Sequence, residues 1–279
     1  MPIAQCLTAH RLVAGIDVGS TTSKVVLALG PETAGWAVAP TGANSRKTVA
    51  RLLAGLLETA GHKRSQVARV VATGYGRRLV DFADESVSEI TAIARGAAAH
   101  AASAGKKMPR TIIDIGGQDS KVIALDEGGI LRDFAMNDKC AAGTGRFLEV
   151  MARAMEVELD QLGALSQRAA AVLPVNSLCT VFAESEVISL LAQGEEPRNI
   201  IAGIHASIAK RIAAMVRKVG LAKPAFFVGG PALNAGLRRA LENELGMKLA
   251  VPKQPQIVAA LGAASIAAAS AVAARGRRR

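Results

Sequence analysis

The chain has 279 residues, of which 50% are hydrophobic and 20% are charged. This composition excludes wholesale disorder and leaves room for two domains of ordinary size. The formal net charge is +11, but only 3% of the residues are aromatic. No recognised nucleic-acid-binding motif occurs, which argues against a nucleic-acid partner. An acidic protein or a phosphate-bearing ligand suits the basic charge at least as well.

Export and membrane insertion both find little support in the sequence. His10 and Arg11 interrupt any apolar start, so we predict no secretory signal. The charge-free segment from Ile257 to Ala274 reaches the lower limit of a membrane span, but alanine, glycine and serine dominate it. We expect a buried helix there. Three cysteines, an odd number, fit a reducing compartment. The chain is therefore expected to be cytoplasmic, without a membrane partner.

The first half of the chain is predicted to open with a strand, a tight turn and a second strand, in the segment IDVGSTTSKVVLAL that begins at Ile16. Apolar residues on helical spacing between Val49 and Leu57 predict an amphipathic helix. The segment VARVVATGYG is typical of a short strand that ends in a glycine turn, and VSEITAIARGAAAHAASAG predicts a helix that ends at Gly105.

The second half repeats the opening of the first, because the segment IDIGGQDSKVIALD at Ile113 matches it offset for offset. Two cysteine-bearing loops, each followed by a predicted helix, come next. A further helix from Ile201 to Met215, a buried strand in AFFVGG, another helix, a short strand around Leu249 and an alanine-rich helix complete the chain. Alternating strands and helices predict an α/β protein.

The repeat predicts two duplicated halves with a nucleotide cleft between them. We expect the boundary near residues 104 to 111, so that residues 1–107 form the first half and residues 108–279 the second.

Each repeat carries an aspartate at the end of an apolar run, Asp17 and Asp114, and a glycine two residues later, Gly19 and Gly116. A turn of small residues lets backbone N–H groups approach phosphate oxygens, and a carboxylate offers a hard oxygen to Mg²⁺. A single such turn usually means only a hairpin, but a repeated one can grip a triphosphate from both sides. No P-loop and no G-x-G-x-x-G pattern occurs in the sequence.

Together with the later segment FFVGGPALNAGL, the two hairpins resemble the phosphate and adenosine motifs of the actin, sugar kinase and chaperone ATPase superfamily. A narrower resemblance rests on GIDVGSTTSKVV, ATGYGR, IDIGGQDSKVI, NDKCAAGTGRFLEVMA, CTVFAESEVIS and ALGAA. These segments resemble the ATP-dependent activators of 2-hydroxyacyl-CoA dehydratases, which belong with the benzoyl-CoA reductase ATPase subunits. The resemblance runs from about Gly15 to Ala264.

This resemblance implies two actin-like (ribonuclease H-like) halves and a site for ATP and magnesium, with Asp17 and Asp114 near the metal. It implies Glu89 as the residue that orients the attacking water and Gln118 as a second catalytic candidate. The remaining expected nucleotide-binding residues are Gly19, Ser20, Thr21, Thr22, Gly116, Gly117, Gly229, Gly230, Asn234 and Gln256. Pro231 departs from the pattern because it removes one backbone donor.

Cys140 and Cys179 each precede a predicted helix, whose N-terminus favours a thiolate. An intracellular cysteine is often only a small buried hydrophobe. Because a cubane cluster needs four thiolates, two per chain become four in a two-fold dimer. The resemblance implies one four-iron four-sulfur cluster per homodimer, ligated by Cys140 and Cys179 of each subunit. Zinc at the same axis stays possible from the residues alone, and Cys6 lies outside the matched region.

The resulting hypothesis is an ATP-hydrolysing homodimer that drives low-potential electrons into a 2-hydroxyacyl-CoA dehydratase, with ferredoxin or flavodoxin as donor. The alternatives are the same device serving a double-cubane cluster protein or an aryl-CoA reductase, a small-molecule kinase, and a zinc-bridged scaffold. Of the remaining polar residues, Lys24 and Lys121 either touch phosphate or point outward, and Tyr75 is expected in a structural turn. His205 is expected to be packed or half-exposed.

Overall fold

The computed structural model describes residues 11–30, 32–175 and 179–276. Contacts divide the chain into two units. One unit comprises the described residues up to Ala99 together with those from Ala259 onward, and the other comprises the described residues from His100 to Val258. The predicted division at residues 107 and 108 stays a prediction, and the structure groups nearly all of the C-terminal helix with the first unit.

The first sheet has five strands in the order β3-β2-β1-β4-β5. Strands β1, β2 and β3 form an antiparallel meander, whereas β4 runs parallel to β1 and β5 runs parallel to β4. The third strand, which the sequence did not predict, is mostly exposed or half-exposed and so lacks a buried apolar pattern. The elements are β1 (Leu12–Val18), β2 (Thr22–Leu29), β3 (Glu32–Pro40), α1 (Ser45–Thr59), β4 (Val67–Thr73), β5 (Glu85–Ser86) and α2 (Glu89–Ser103).

The second sheet repeats this topology with four strands in the order β8-β7-β6-β9. Strands β6, β7 and β8 again form an antiparallel meander, and β9 runs parallel to β6. The strand predicted around Leu249 is reduced to one parallel bridge between Phe226 and Ala250, in the position of a fifth strand. The elements are β6 (Thr111–Ile115), β7 (Ser120–Leu125), β8 (Leu131–Asn137), α3 (Gly145–Ala154), α4 (Gln161–Gln167), α5 (Thr180–Ala192), α6 (Pro197–Val219), β9 (Ala225–Val228) and α7 (Ala235–Leu245).

Each unit has its own apolar core. In the first unit, α1 packs on the β1–β2–β4 face through Val49, Leu53 and Leu57. In the second unit, the apolar sides of α3 and α6 cover the β6–β7 face, so Phe147 and Phe227 are completely buried. These cores hold the two hairpin turns at the ends of rigid central strands.

The C-terminal helix α8 (Val258–Gly276) packs closely against the first unit. A Cβ atom on Gly15 of β1 would overlap the backbone of Ala260 and Ala264, and one on Gly262 would overlap the carbonyl oxygen of Ala92. By length and composition alone, Pro255–Ala273 is the one helix of the described chain that is apolar enough to cross a membrane, and 44% of it is buried. Its alanines and glycine allow the close backbone approach.

We expect Gly262→Ala to destabilise the protein by about 1–3 kcal/mol, because the added methyl group has no room against α2. The matched control is Gly55→Ala on α1, where a Cβ atom meets nothing within 4 Å. Removing a glycine from an exposed helix interior stabilises by about 0.5–1 kcal/mol. Urea denaturation measures both. Equal shifts of the two midpoints would contradict the close packing of α8.

Candidate functional site

The two predicted aspartates end the central strand of each sheet. Asp17 lies at the carboxyl end of β1 and Asp114 at that of β6, and both side chains are largely buried. Each faces a lysine across the hairpin, because Asp17 pairs in register with Lys24 and Asp114 with Lys121. The internal repeat is therefore a repeat of structure as well as of sequence.

Both lysines turn toward the aspartates instead of pointing outward. Nζ of Lys24 lies 3.0 Å from Oδ2 of Asp17. Nζ of Lys121 lies 3.7 Å from Oδ2 of Asp114 and 2.7 Å from Oδ1 of Asp119. A largely buried carboxylate with a neighbouring ammonium group keeps its charge compensated. The sequence could only leave the direction of these lysines open, because it does not show strand register.

The two turns have the same backbone geometry. The N–H of Gly19 donates to the carbonyl of Thr22 over 3.1 Å, and the N–H of Gly116 donates to that of Asp119 over 2.9 Å. Within the described ranges, no hydrogen bond occupies the backbone N–H groups at the turn tips, those of Ser20, Thr21, Gly117 and Gln118. Open N–H groups in a turn of small residues are what a phosphate oxygen needs.

A glycine with positive φ lies beside each aspartate. Gly74 follows β4 with φ +93°, and Gly229 follows β9 with φ +90°. A Cβ atom on Gly74 would lie 2.5 Å from Oδ1 of Asp17, and one on Gly229 would lie 2.9 Å from Oδ1 of Asp114. The first glycine of ATGYGR, Gly74, is thus the counterpart of the first glycine of FFVGG, Gly229. Sequence reasoning missed this equivalence, although the glycine after each short strand was a signal.

The predicted adenosine motif forms a 3-10 turn from Gly230 to Leu233, followed by α7. The N–H of Gly229 donates to the carbonyl of Pro255 over 3.0 Å, which brings the neighbouring Gln256 to the same end of the second sheet. A Cβ atom on Gly230 would meet nothing within 4 Å, so only the first glycine is sterically required. Pro231 is the second residue of the 3-10 turn, in its first turn, where a missing N–H costs little.

Asn234 caps α7 and also contacts His205. Its Oδ1 accepts from the N–H of Leu237 over 2.9 Å, which identifies Nδ2 as the atom 3.1 Å from Nε2 of His205. Because Nδ2 can only donate, Nε2 accepts, and the ring proton lies on Nδ1. Nδ1 then donates to Oγ of Ser166 over 3.0 Å, and Oγ donates to the carbonyl of Gly163 over 3.1 Å.

His205 is fully packed, which agrees with the first of the two expectations, and burial lowers its pKa to about 4. The neutral imidazole therefore fixes the side chain of a predicted nucleotide-binding residue. It also lines an open cavity of about 400 Å³ between α6, α7 and the end of α4. No local sequence pattern indicates this link, since the bonded residues are far apart in the chain.

The two catalytic candidates lie at the same edges as the aspartates of their units. Glu89 is the first residue of α2, which follows β5, and the carboxyl ends of the parallel strands β1, β4 and β5 meet at one edge. Gln118 is an exposed residue of the second turn. The structure thus groups Asp17, Gly19–Thr22 and Glu89 in one unit, and the other predicted nucleotide-binding residues in the second.

Cys140 and Cys179 are both half-buried cysteines of the second unit. Cys140 lies in the loop between β8 and α3, and Cys179 is the N-cap residue of α5, which packs against α3. Next to Cys179, Oγ1 of Thr180 is buried and has no hydrogen-bond partner among the residues that the structure describes. Cys6 lies outside the described residues, as do residues 176–178 of the second cysteine segment.

These donor sets fit the metals that the sequence suggests only when other ligands contribute. Within residues 11–30, 32–175 and 179–276, no group of three or more His, Cys, Asp or Glu side chains is arranged to hold a metal ion. Magnesium in nucleotide sites is commonly held by one or two carboxylates with phosphate oxygens and waters, which suits Asp17 and Asp114. Two thiols near the starts of packed helices, with an orphaned hydroxyl beside one of them, suit half of a four-thiolate cluster site.

Known proteins match this chain over nearly its whole length. The model of the BadF/BadG/BcrA/BcrD ATPase family matches residues 14–267. The activator of lactoyl-CoA dehydratase from Anaerotignum propionicum is 46% identical over 251 residues, covering 90% of this chain and 95% of that protein.

Among solved structures, the activator of the 2-hydroxyisocaproyl-CoA dehydratase from Clostridium difficile with bound ADPNP superposes with a TM-score of 0.89. It has 42% identity, with 95% of this chain and 97% of that chain covered. A ROK family glucokinase from Streptomyces griseus, in complex with glucose and AMPPNP, has a TM-score of 0.58 and 14% identity over 92% of this chain and 99% of that chain. That distant match shows the fold alone, and it agrees with the predicted actin-like α/β architecture.

The buried neutral His205 predicts a loss of stability in mild acid. Its pKa falls from 6.5 to about 4 on folding, so the unfolded chain binds a proton at pH values where the folded chain does not. Its contribution is complete above pH 6.5 and is lost as the pH falls toward 4. At pH 5 we expect the loss from this group to be about 2 kcal/mol.

Urea denaturation at pH 7 and pH 5 measures this loss as the difference between the native protein and His205→Gln, which cannot titrate. The control His62→Gln lies in the turn after α1, outside the network. It should keep the native pH dependence. The same pH dependence in His205→Gln as in the native protein would contradict the assignment.

Proposed function

Because the chain belongs to the BadF/BadG/BcrA/BcrD ATPase family, we propose that it is an ATP-hydrolysing, homodimeric activator that drives low-potential single electrons into a 2-hydroxyacyl-CoA dehydratase. The relatives named as dehydratase activators share almost the whole length of the chain. In this proposal the protein acts in the cytoplasm and uses ATP, magnesium and one four-iron four-sulfur cluster per dimer.

The nucleotide part of the proposal is supported by the two hairpin turns. The open N–H groups of Ser20, Thr21, Gly117 and Gln118 bind phosphate oxygens, and Asp17 and Asp114 offer carboxylates to the magnesium that accompanies ATP. Glu89 orients the attacking water and Gln118 assists at the second turn. Phosphoryl transfer to water needs mainly such positioning and charge stabilisation.

The adenosine part is supported by the second unit. Gly229 has a positive φ and lies close to Asp114, and Gly230 follows it. Without side chains, these two residues leave room for the nucleoside to approach the backbone. Asn234 is held by His205 and by the N-terminus of α7, so its amide is fixed before any ligand arrives. Gln256 lies near Gly229 because the N–H of Gly229 donates to the carbonyl of the preceding residue, Pro255.

The redox part is supported by the cysteines and their surroundings. Cys140 and Cys179 of each subunit would hold the cluster, which when bound supplies a one-electron carrier. Thr180 offers an unbonded hydroxyl beside Cys179. The exposed face of α5 carries Val181, Phe182 and Ile188, which are 64%, 67% and 53% exposed. An exposed apolar face beginning beside a cysteine is suited to contact with a second subunit or an electron-transfer partner.

One observation carries the coupling of ATP to redox chemistry. Helix α3, which directly follows the loop that contains Cys140, is hydrogen-bonded to the second phosphate turn through the N–H groups of Gly145 and Arg146. Ferredoxin or flavodoxin is the proposed electron donor. A double-cubane cluster protein or an aryl-CoA reductase as acceptor remains the alternative, because the same apparatus would serve it.

We expect Asp17→Asn and Asp114→Asn each to lower magnesium-dependent ATP hydrolysis by roughly 100-fold, because each removes a charge that balances the metal and phosphate charges. The matched control is Asp81→Asn, which removes an exposed carboxylate paired with Arg46 and should leave hydrolysis near the native rate. Phosphate release measures all three. Native rates in both hairpin variants would refute the proposed nucleotide site.

We expect Cys140→Ser and Cys179→Ser each to abolish the cluster signal, because a dimer would keep only two of four thiolates. The measurement is electron paramagnetic resonance of anaerobically purified, dithionite-reduced protein with and without Mg-ATP, together with iron and sulfide content. The native signal should shift with nucleotide.

An iron-free protein that resists reconstitution with iron and sulfide yet hydrolyses ATP would favour the kinase alternative. Zinc in place of iron would favour the scaffold.

A further inference from the structure

The duplicated halves allow a direct comparison of how each phosphate turn is fixed. In the first half, the segment after β3 closes on the first turn. The N–H of Thr41 donates to the carbonyl of Thr21 over 2.9 Å, and its Oγ1 donates to the carbonyl of Gly19 over 2.7 Å. Oγ of Ser23, the first buried polar residue after the turn, lies 2.9 Å from Oγ1 of Thr41. All of these bonds stay within the β1–β2–β3 meander and the residue that follows it.

In the second half, the equivalent segment is the loop after β8, and this loop carries Cys140. The N–H of Gly145 donates to the carbonyl of Gly116 over 2.8 Å, and the N–H of Arg146 donates to that of Gly117 over 2.8 Å. These are the first two amides of α3, so the turn supplies the acceptors that a helix N-terminus needs. Ser120, the counterpart of Ser23, donates from Oγ to the carbonyl of Gly143 over 2.7 Å.

The loop between these bonds is itself tightly constrained. Nδ2 of Asn137 donates to the carbonyls of Cys140 and Ala142, over 3.0 and 3.3 Å. Thr144 donates from its N–H and its Oγ1 to the carbonyl of Ala141, over 3.0 and 2.6 Å. Gly143 has φ +92°. The backbone from Asn137 to Arg146 is therefore one hydrogen-bonded unit that ends on the phosphate turn.

The peptide groups of the turn have two faces with different partners. The carbonyl of Gly116 and the N–H of Gly117 belong to one rigid peptide plane, and the carbonyl of Gly117 and the N–H of Gln118 belong to the next. The carbonyls accept from α3, while the N–H groups are open in the described chain. An anion bound at the N–H groups polarises the same peptides and strengthens the bonds on their carbonyls.

Cys179 has no comparable connection in the described residues. It is the N-cap residue of α5, and its carbonyl accepts from the N–H of Ala183 within its own helix. Among the bonds of residues 11–30, 32–175 and 179–276, none joins Cys179 to either phosphate turn. The two cysteines therefore differ in how directly they sense the nucleotide.

We propose that Ser120 and the second phosphate turn couple nucleotide binding to the position of Cys140 and leave Cys179 unaffected. This inference rests on the proposed ATP-binding function and adds a positioning residue to it. A polyphosphate at the N–H groups of Gly117 and Gln118 tightens the loop that begins at Asn137. The thiol of Cys140 becomes less accessible, while that of Cys179 keeps its reactivity.

The test is the rate of iodoacetamide alkylation at each cysteine of the full-length chain, prepared without iron or zinc. It is measured by peptide mass spectrometry with and without saturating Mg-ADPNP. We expect the nucleotide to slow alkylation of Cys140 about fivefold, the factor that one ordinary hydrogen bond gives, with little change at Cys179. Binding of ADPNP is measured in parallel by calorimetry.

Three variants separate coupling from a general structural effect. Ser120→Ala should bind ADPNP yet lose most of the protection of Cys140, because the loop loses one of its bonds to the hairpin. Ser120→Thr keeps the hydroxyl and should restore the protection. The matched control is Ser23→Ala, which removes the equivalent hydroxyl from the first hairpin and should keep the protection at saturating nucleotide.

Full protection of Cys140 by ADPNP in Ser120→Ala would overturn the inference. Loss of that protection in Ser23→Ala at saturating ADPNP would overturn it as well. Equal protection of both cysteines, or none, in the native chain would also overturn it, and this comparison decides even if Ser120→Ala does not fold. A native chain that fails to bind ADPNP would instead refute the proposed function, and the inference with it.

Discussion

Close contact between a buried carboxylate and a glycine at the end of the neighbouring parallel strand is the constraint on which both units depend. Asp17 meets Gly74 in the first unit, and Asp114 meets Gly229 in the second. A side chain on either glycine would overlap the backbone carbonyl of the residue after the aspartate, Val18 or Ile115, as well as the carboxylate, and positive φ at both positions disfavours any other residue. The parallel strands can therefore adjoin the central strand only with glycine at these points.

Around that shared contact, the two units have diverged in what closes their phosphate turns. The first uses the side chain and N–H of Thr41, one residue after β3. The second uses the N-terminus of α3, after a loop that contains Cys140. The duplication thus supplied two similar hairpin turns, and a longer connection in one of them joined a cysteine to the turn without changing the three-stranded meander.

The second unit also has the more elaborate polar interior. His205, Asn234 and Ser166 come from three different helices or their caps and satisfy one another in sequence. A buried polar chain of this kind is stable only when each member has its partner, and here the neutral imidazole completes the set. It links the cap of α7 to α6 and α4, and so fixes the end of the predicted adenosine motif.

The sequence by itself determined the α/β class, the duplication and the family resemblance, and it supplied the candidate site residues, because these depend on local patterns such as an aspartate, a glycine and an apolar run at fixed offsets. It did not reveal β3 and β8, whose exposed edge positions lack a buried pattern. Only the tertiary structure decided that Lys24 and Lys121 turn toward the aspartates and that Gly74 matches Gly229. Likewise, only the fold joined Ser120 to the Cys140 loop and His205 to Asn234. Those contacts depend on strand register and on packing between residues far apart in the chain, which local sequence patterns do not encode.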